Sequence, residues 1–105
     1  MPRLARISLA VCLCLAAGGS LADGIQYTGG DGSTVARAIV IDGAQGEDDG
    51  VKAEYDWLAA NRAGWKLTDQ ELFFSGGKPY DVLSLIKSGE RSQVFFDISG
   101  YSGRN

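Results

Sequence analysis

The side chains of this protein that could take part in catalysis are carboxylates and hydroxyls. The 105-residue sequence contains thirteen aspartate and glutamate residues and no histidine. Because no imidazole is present to accept a proton, Ser-His-Asp and Cys-His nucleophilic devices and histidine-ligated metal sites are excluded. Both cysteines, Cys12 and Cys14, lie in the leading segment. The remainder of the chain therefore has no thiol for zinc binding or redox chemistry.

Two groups of carboxylates could act together. Glu47–Asp49, with Asp42 nearby, could offer oxygen ligands to a hard cation such as calcium. Their spacing does not match an EF-hand loop, and capping of a following helix accounts for them better. Asp81 and Asp97 could form an acid/base pair if burial raised a carboxyl pKa, or each could bond a turn or a basic side chain. We predict no catalytic, cofactor or metal site and no enzymatic activity. A small carboxylate-based enzyme or ligand-binding domain is the alternative.

The first residues of the sequence have the pattern of a secretory signal peptide. Arg3 and Arg6 form a positive head, and the apolar run Ile7–Ala17 is followed by small residues that end at Ala22. This run is shorter than the roughly 20 residues that a membrane-spanning helix needs. The pattern predicts a signal peptide over residues 1–22, a periplasmic or secreted location, and no stable membrane insertion after cleavage.

The chain beyond this leading segment is acidic. All thirteen acidic residues and eight of the ten basic residues lie there, which leaves a net charge of −5. Nucleic-acid binding requires a basic face that displaces counterions, and the sequence contains no cluster of lysine or arginine. The charge pattern therefore excludes nucleic acid as a partner and disfavours an anionic membrane surface.

The rest of the sequence is long enough for one small domain. We predict a flexible Gly-rich leader over residues 23–33, a single domain over residues 34–99 and a loose tail over residues 100–105. The domain pattern is a strand at Thr34–Asp42, a helix at Gly46–Gly64 and then three strands. This order favours an α+β fold in which one helix packs on a curved antiparallel four-stranded sheet, β-α-β-β-β.

Apolar periodicity predicts which side chains form the core. The helix face toward the sheet is expected to carry Val51, Tyr55, Leu58 and Ala59. The apolar residues at the start and the end of Gly64–Pro79 differ in parity, so we expect a β-bulge near Asp69 and Gln70. Four aromatic residues are assigned to the core: Tyr55, Trp65, Phe74 and Phe96.

The remaining large apolar residues exceed what one helix on a small sheet can hide. We expect the sheet face turned away from the helix to present Leu83, Leu85 and Phe95. Phe73 is expected near the following turn, and Trp57 is expected to cover the edge of the core. Exposed aromatic side chains on a sheet face form the kind of patch that binds partners. These five residues are the predicted interaction surface.

Several short blocks of the sequence are similar to those of a known group of proteins. The blocks are YTGGDGSTVARAIVIDGA, AEYDWL, GGKPYDVLSL and VFFDIS. Through them the chain resembles a family of small secreted bacterial proteins of unknown function, and its element order resembles that of cystatin-like folds. The resemblance implies a secreted single domain and says nothing of a substrate.

Together these observations predict a non-catalytic periplasmic or secreted interaction module. Its partner would be an unknown protein or a second copy of the chain, bound through an aromatic sheet face. A purely structural component of the cell envelope is a further alternative.

Overall fold

The computed structural model describes residues 24–103, and the predicted signal peptide lies outside this range. Within it the chain forms an α+β fold with one α-helix, a short 3-10 helix and one open five-stranded sheet. The elements in chain order are β1 (Gln26–Gly29), the 3-10 helix (Val35–Arg37), β2 (Ile39–Asp42), α1 (Glu47–Asn61), β3 (Lys66–Ser75), β4 (Lys78–Lys87) and β5 (Glu90–Asp97).

The sheet has five strands in the described range, where the sequence predicted four. Their spatial order is β1-β2-β5-β4-β3. All neighbours are antiparallel except β2 and β5, which are parallel. This parallel pair follows from the path of the chain, because α1 and the two hairpins separate β2 from β5. The two edges of the sheet are therefore β1 and β3.

The additional strand, β1, lies in the segment that was predicted to be a flexible leader. Gln26–Gly29 pairs with residues 39–42 of β2. The hydroxyl of Tyr27 also donates a hydrogen bond to the backbone carbonyl of Ala53 in α1, at 2.7 Å. These contacts offset the entropic cost of ordering a Gly-rich segment.

The predicted strand Thr34–Asp42 is also shorter than expected. Thr34 caps the 3-10 helix, where its hydroxyl accepts a hydrogen bond from the backbone N–H of Arg37 at 3.2 Å. Only Ile39–Asp42 is extended and paired. The side chain of a threonine can satisfy local backbone donors in this way, and it then competes with strand formation.

The two hairpins follow directly from their turn residues. Gly76 and Gly77 connect β3 to β4 with φ of +58° and +80°, and Ser88 and Gly89 connect β4 to β5 with φ of +50° and +80°. Positive φ at both central residues matches the right-handed twist of the adjoining strands. The expected β-bulge is present in β3, where the register shifts at Thr68, just before the predicted position.

The helix packs on the sheet with a different face from the one predicted. Its fully buried residues are Gly50, Ala53 and Glu54, while Trp57 and Leu58 pack partly buried against the core. Tyr55, which was assigned to the core, is exposed. The cause is the C-terminal segment, because the buried ring of Tyr101 lies against α1 at Gly50.

The core lies between α1 and one face of β2, β5 and β4. Its buried members are Ile39, Ile41, Ala53, Leu83, Leu85, Val94, Phe96, Ile98 and Tyr101. The indole of Trp57 contacts the ring of Phe96 edge-on, with centroids 5.6 Å apart. The C-terminal segment was predicted to be a loose tail, but Tyr101 makes it part of the core.

Candidate functional site

The five residues of the predicted interaction surface do not lie together. Leu83 and Leu85 are buried in the core beneath α1, so their assignment to the opposite face is wrong. Both parities of β4 are apolar, and the register with β5 decides which one the helix covers. Phe95 lies on the reverse face and is half-buried, and Trp57 is held against the core. Phe73 is 42% exposed.

An exposed apolar surface does exist, and it is centred on Phe73 in the edge strand β3. Leu72 and Phe74 flank Phe73 in the sequence and are 56% and 62% exposed. We call these three consecutive residues the β3 patch. Phe74 was assigned to the core, and this assignment is wrong. Because side chains alternate along a strand, the β3 patch presents apolar groups on both faces of the sheet.

The pairing of β3 with β4 shows which face each residue of the patch occupies. Leu72 pairs with Asp81, which shares the helix-covered face with Leu83. Phe73 pairs with Tyr80 on the reverse face, and their rings contact at a tilt with centroids 6.4 Å apart. On the reverse face Phe73 therefore packs against Tyr80, whereas Leu72 and Phe74 on the other face are largely exposed to solvent.

The exposure of the β3 patch results from the limited reach of the helix. Tyr55 marks this limit, because its hydroxyl donates a hydrogen bond to the side-chain oxygen of Gln70 at 2.7 Å. Beyond Gln70 toward the Gly76–Gly77 turn, the described part of the chain places no helix over β3. The last residues of the strand consequently keep their apolar side chains in solvent.

Two carboxylates lie beside the patch on the reverse face. Asp69 pairs with Ser84 and Glu71 with Val82, so both share the face of Phe73. Each is exposed. The outer part of β3 is therefore acidic and aromatic on its reverse face and apolar on its helix-covered face.

A second distinctive feature is a group of three buried polar side chains: Glu54, Asp81 and Tyr101. We call it the buried acid cluster. The Tyr101 hydroxyl donates a hydrogen bond to Glu54 Oε2, and Glu54 is fully buried. Burial, followed by the hydrogen bond with Asp81, raises the pKa of Glu54 to about 9. The protonated Glu54 can then donate from its second oxygen to Asp81, which accounts for an Oε1 that otherwise has no partner.

Sequence reasoning missed Glu54 altogether. The available signal was a stripe at helical spacing, since Gly50, Ala53, Glu54, Trp57 and Leu58 occupy one face of α1. Because glutamate is a polar residue, apolar periodicity did not identify the face that carries Glu54 and favoured the face of Tyr55 instead. The cluster has no exposed glutamate oxygen for a substrate, so it is best explained as a structural connection between α1 and the C-terminal segment.

Asp97 does not join Asp81, so the acid/base pair that the sequence left open as an alternative does not form. The two carboxylates belong to opposite faces of the sheet, since Asp97 pairs with Tyr80 and Asp81 with Phe96. Burial alone would raise the pKa of Asp97, but hydrogen bonds from Ser99 and the ion pair with Lys78, at 3.0 Å, hold it below its ordinary value. Asp97 therefore stays ionised and anchors the chain at the end of β5.

The acidic run at the start of α1 also has structural roles. Asp49 accepts a hydrogen bond from the backbone N–H of Gln45, and Glu47 accepts one from the backbone N–H of Gly103. Among residues 24–103, no three acidic, histidine or cysteine side chains are grouped so as to hold a metal ion. Within the same range, no helix has the length and apolar character required to cross a membrane.

An open groove of about 740 Å³ lies between the C-terminal end of α1 and the β4–β5 hairpin. Arg62 is fixed within it by a hydrogen bond to Ser92 at 2.6 Å and by stacking over Trp65. Arg91 and Asp31 also line the groove, and Asp31 forms an ion pair with Arg37 at 3.9 Å. The groove is polar but not strongly charged, so it offers weaker recognition than the β3 patch.

Comparison with known proteins does not assign this fold or its surface. No family model, no curated protein and no solved structure matches the chain.

Proposed function

We propose that this chain is a non-catalytic interaction module that binds another protein through the β3 patch. The observation that carries this proposal is the exposure of Leu72, Phe73 and Phe74, three consecutive large apolar residues on an edge strand. Scattered single apolar residues are normal on a surface, whereas a contiguous apolar patch marks an interaction site. Aromatic side chains are also the residues most enriched in the energetic centres of interfaces.

The patch differs from the surface that the sequence predicted, but it retains Phe73. It replaces Leu83 and Leu85 with Leu72 and Phe74. The signal-peptide pattern of residues 1–22 supports action in the periplasm or outside the cell. A catalytic role for the carboxylates has less support, because Glu54 is sealed beneath α1 and Asp97 is paired with Lys78.

Site-specific photo-crosslinking in cells that express the protein tests this proposal. A photoreactive phenylalanine derivative would replace Phe74 in one variant and Leu67 in the matched control. Leu67 is 39% exposed on the same strand but lies outside the patch. We expect a covalent adduct of defined mass from position 74 and little or none from position 67.

The adduct at position 74 should also disappear when Phe73→Ser is added. Equal adducts from both positions, or none from position 74, would contradict the proposal. Adducts to many envelope components with no dominant species would favour the structural alternative instead.

A further inference from the structure

The outer edge of β3, together with the β3 patch, indicates what kind of partner would bind. β3 pairs with β4 on its inner side and has no other strand beside it in the described part of the chain. Alternate backbone N–H and C=O groups on its outer side are therefore open to a further strand. Strand addition at such an edge is a common mode of peptide recognition.

Apart from the carboxylates of Asp69 and Glu71, the second half of β3 lacks the features by which proteins usually protect an edge. Its bulge is confined to Thr68, and its lysine, Lys66, stands at the beginning of the strand. The following segment, Asp69–Ser75, is regularly paired and contains no proline or lysine. Seven residues exceed the usual strand length of about five or six. This half of the edge is thus long and regular enough to pair with a partner strand.

The charges on β3 select between possible partner strands. Asp69 and Glu71 project on the reverse face, while Gln70, Leu72 and Phe74 alternate on the other face. Directly opposed unlike charges stabilise a pair of strands, and like charges destabilise it. A complementary strand would place basic residues opposite Asp69 and Glu71, with apolar residues between them.

A second copy of the chain fits this edge poorly. Antiparallel pairing of two copies centred on Gln70 would set Asp69 against Glu71. Centring on Glu71 would set the two Glu71 carboxylates against each other, and centring on Leu72 leaves them as diagonal neighbours. Centring on Phe73 avoids these contacts but pairs only residues 71–75, because the strand ends at Ser75. The net charge of −3 for the whole chain adds general repulsion between copies.

We infer that the β3 edge accepts an extended segment of another protein in which basic and apolar residues alternate. This inference rests on the proposed function and specifies the chemistry of the partner. Backbone pairing with Asp69–Ser75 supplies affinity, the carboxylates of Asp69 and Glu71 select the basic residues, and Leu72 and Phe74 of the β3 patch pack on the apolar ones. Because the charge pairs are exposed, binding should weaken as ionic strength rises.

Binding of synthetic peptides to the full chain tests the inference. The probe is an end-blocked peptide of alternating lysine and valine, about seven residues long to match the free edge. Its controls are the same peptide with glutamate in place of lysine and the lysine–valine peptide with a central proline, which cannot complete the ladder. Fluorescence anisotropy would measure affinity, and hydrogen exchange would report on the amides of residues 69–75.

We expect binding of the lysine–valine peptide alone, with slower exchange at alternate amides of β3. The double variant Asp69→Lys/Glu71→Lys should weaken that binding by about tenfold or more and allow the glutamate peptide to bind. The swap separates recognition from folding, because a misfolded variant would bind neither peptide.

Equal binding of the basic and acidic peptides, or failure of the basic peptide, would overturn the inference. So would a stable dimer in light scattering that Phe74→Ser abolishes, or protection of the outward-facing amides of residues 69–75 in the protein alone, since another strand would then occupy the edge. Crosslinking from position 74 without binding of the basic peptide would leave the proposed function standing and reject only this partner.

Discussion

Phe96 and Leu72 lie on the same face of the same sheet, yet Phe96 is completely buried and Leu72 is more than half exposed. The difference is set by the width of the helix. An α-helix is about 10 Å wide and sheet strands are about 4.8 Å apart, so one helix covers only two or three strands. Here α1 covers β2, β5 and β4 and leaves β3 uncovered. We call α1 with the three covered strands the closed half, and β3 the open half.

In the closed half, a buried hydrogen bond adds to the stability that the small apolar core provides. The Tyr101–Glu54 hydrogen bond joins residues that are 47 positions apart, and the ring of Tyr101 fills the space beside Gly50. The open half is joined to α1 by the exposed Tyr55–Gln70 hydrogen bond. Stability should therefore depend on the closed half, and binding on the open half.

The largest expected difference between the two halves is in how the free energy of unfolding depends on pH. Folding raises the pKa of Glu54 from the ordinary value of 4.5 to about 9. Between these two pKa values the folded chain holds a proton on Glu54 that the unfolded chain has released. The stability that protonated Glu54 contributes is complete below about pH 4.5 and is lost as pH rises toward 9. Between these values the free energy of unfolding should fall by about 1.4 kcal/mol per pH unit. Urea denaturation from pH 5 to 8 measures this slope.

Glu54→Gln should flatten that dependence, because a neutral amide can still accept from Tyr101 and donate to Asp81. Glu71→Gln, on the open strand, is the matched control and should leave the slope unchanged. Asp97 acts in the opposite sense at lower pH, since its lowered pKa makes its contribution vanish as the carboxylate is protonated. A midpoint that stays constant or rises from pH 5 to 8 would contradict the role given to Glu54.

A smaller effect is expected from Gly50→Ala in α1. A β-carbon at this position would clash with the Tyr101 ring. Overpacking of this kind costs about 1–3 kcal/mol, and the better helix propensity of alanine returns up to about 1 kcal/mol. We expect a net loss of about 1–2 kcal/mol in the free energy of unfolding, measured by urea denaturation.

Removing the obstructing ring gives the control for that prediction. In a Tyr101→Leu background, Gly50→Ala should become neutral or stabilising, although Tyr101→Leu itself destabilises the chain. The same loss in both backgrounds would show that Gly50 is required for another reason.

Local sequence signals explain the two hairpins better than they explain the closed half. Two consecutive turn residues between alternating strands are sufficient to place Gly76–Gly77 and Ser88–Gly89. The orientation of α1 was not predictable in the same way, because it depends on Tyr101, a residue far along the chain. Similarly, β1 forms only because β2 and the carbonyl of Ala53 are available to pair with it.

The candidate site was predictable only in part. Phe73 was selected for its position near the turn, and its side chain is 42% exposed. Leu83 and Leu85 were misplaced because Tyr80 and Val82 make the other parity of β4 equally apolar. Phe74 was misplaced because alternation shows which face a residue occupies but not how far a helix extends over that face.

The smallest effect on stability should come from the β3 patch itself. Phe74→Ser removes one aromatic ring, most of which is already in solvent. We expect the free energy of unfolding to change by about 1 kcal/mol or less, whereas truncating a buried phenylalanine such as Phe96 to alanine should cost about 3–5 kcal/mol. Urea denaturation of both variants provides the comparison. If the patch variant lost as much stability as Phe96→Ala, β3 would belong to the folding core, and its exposed rings would no longer point to a binding surface.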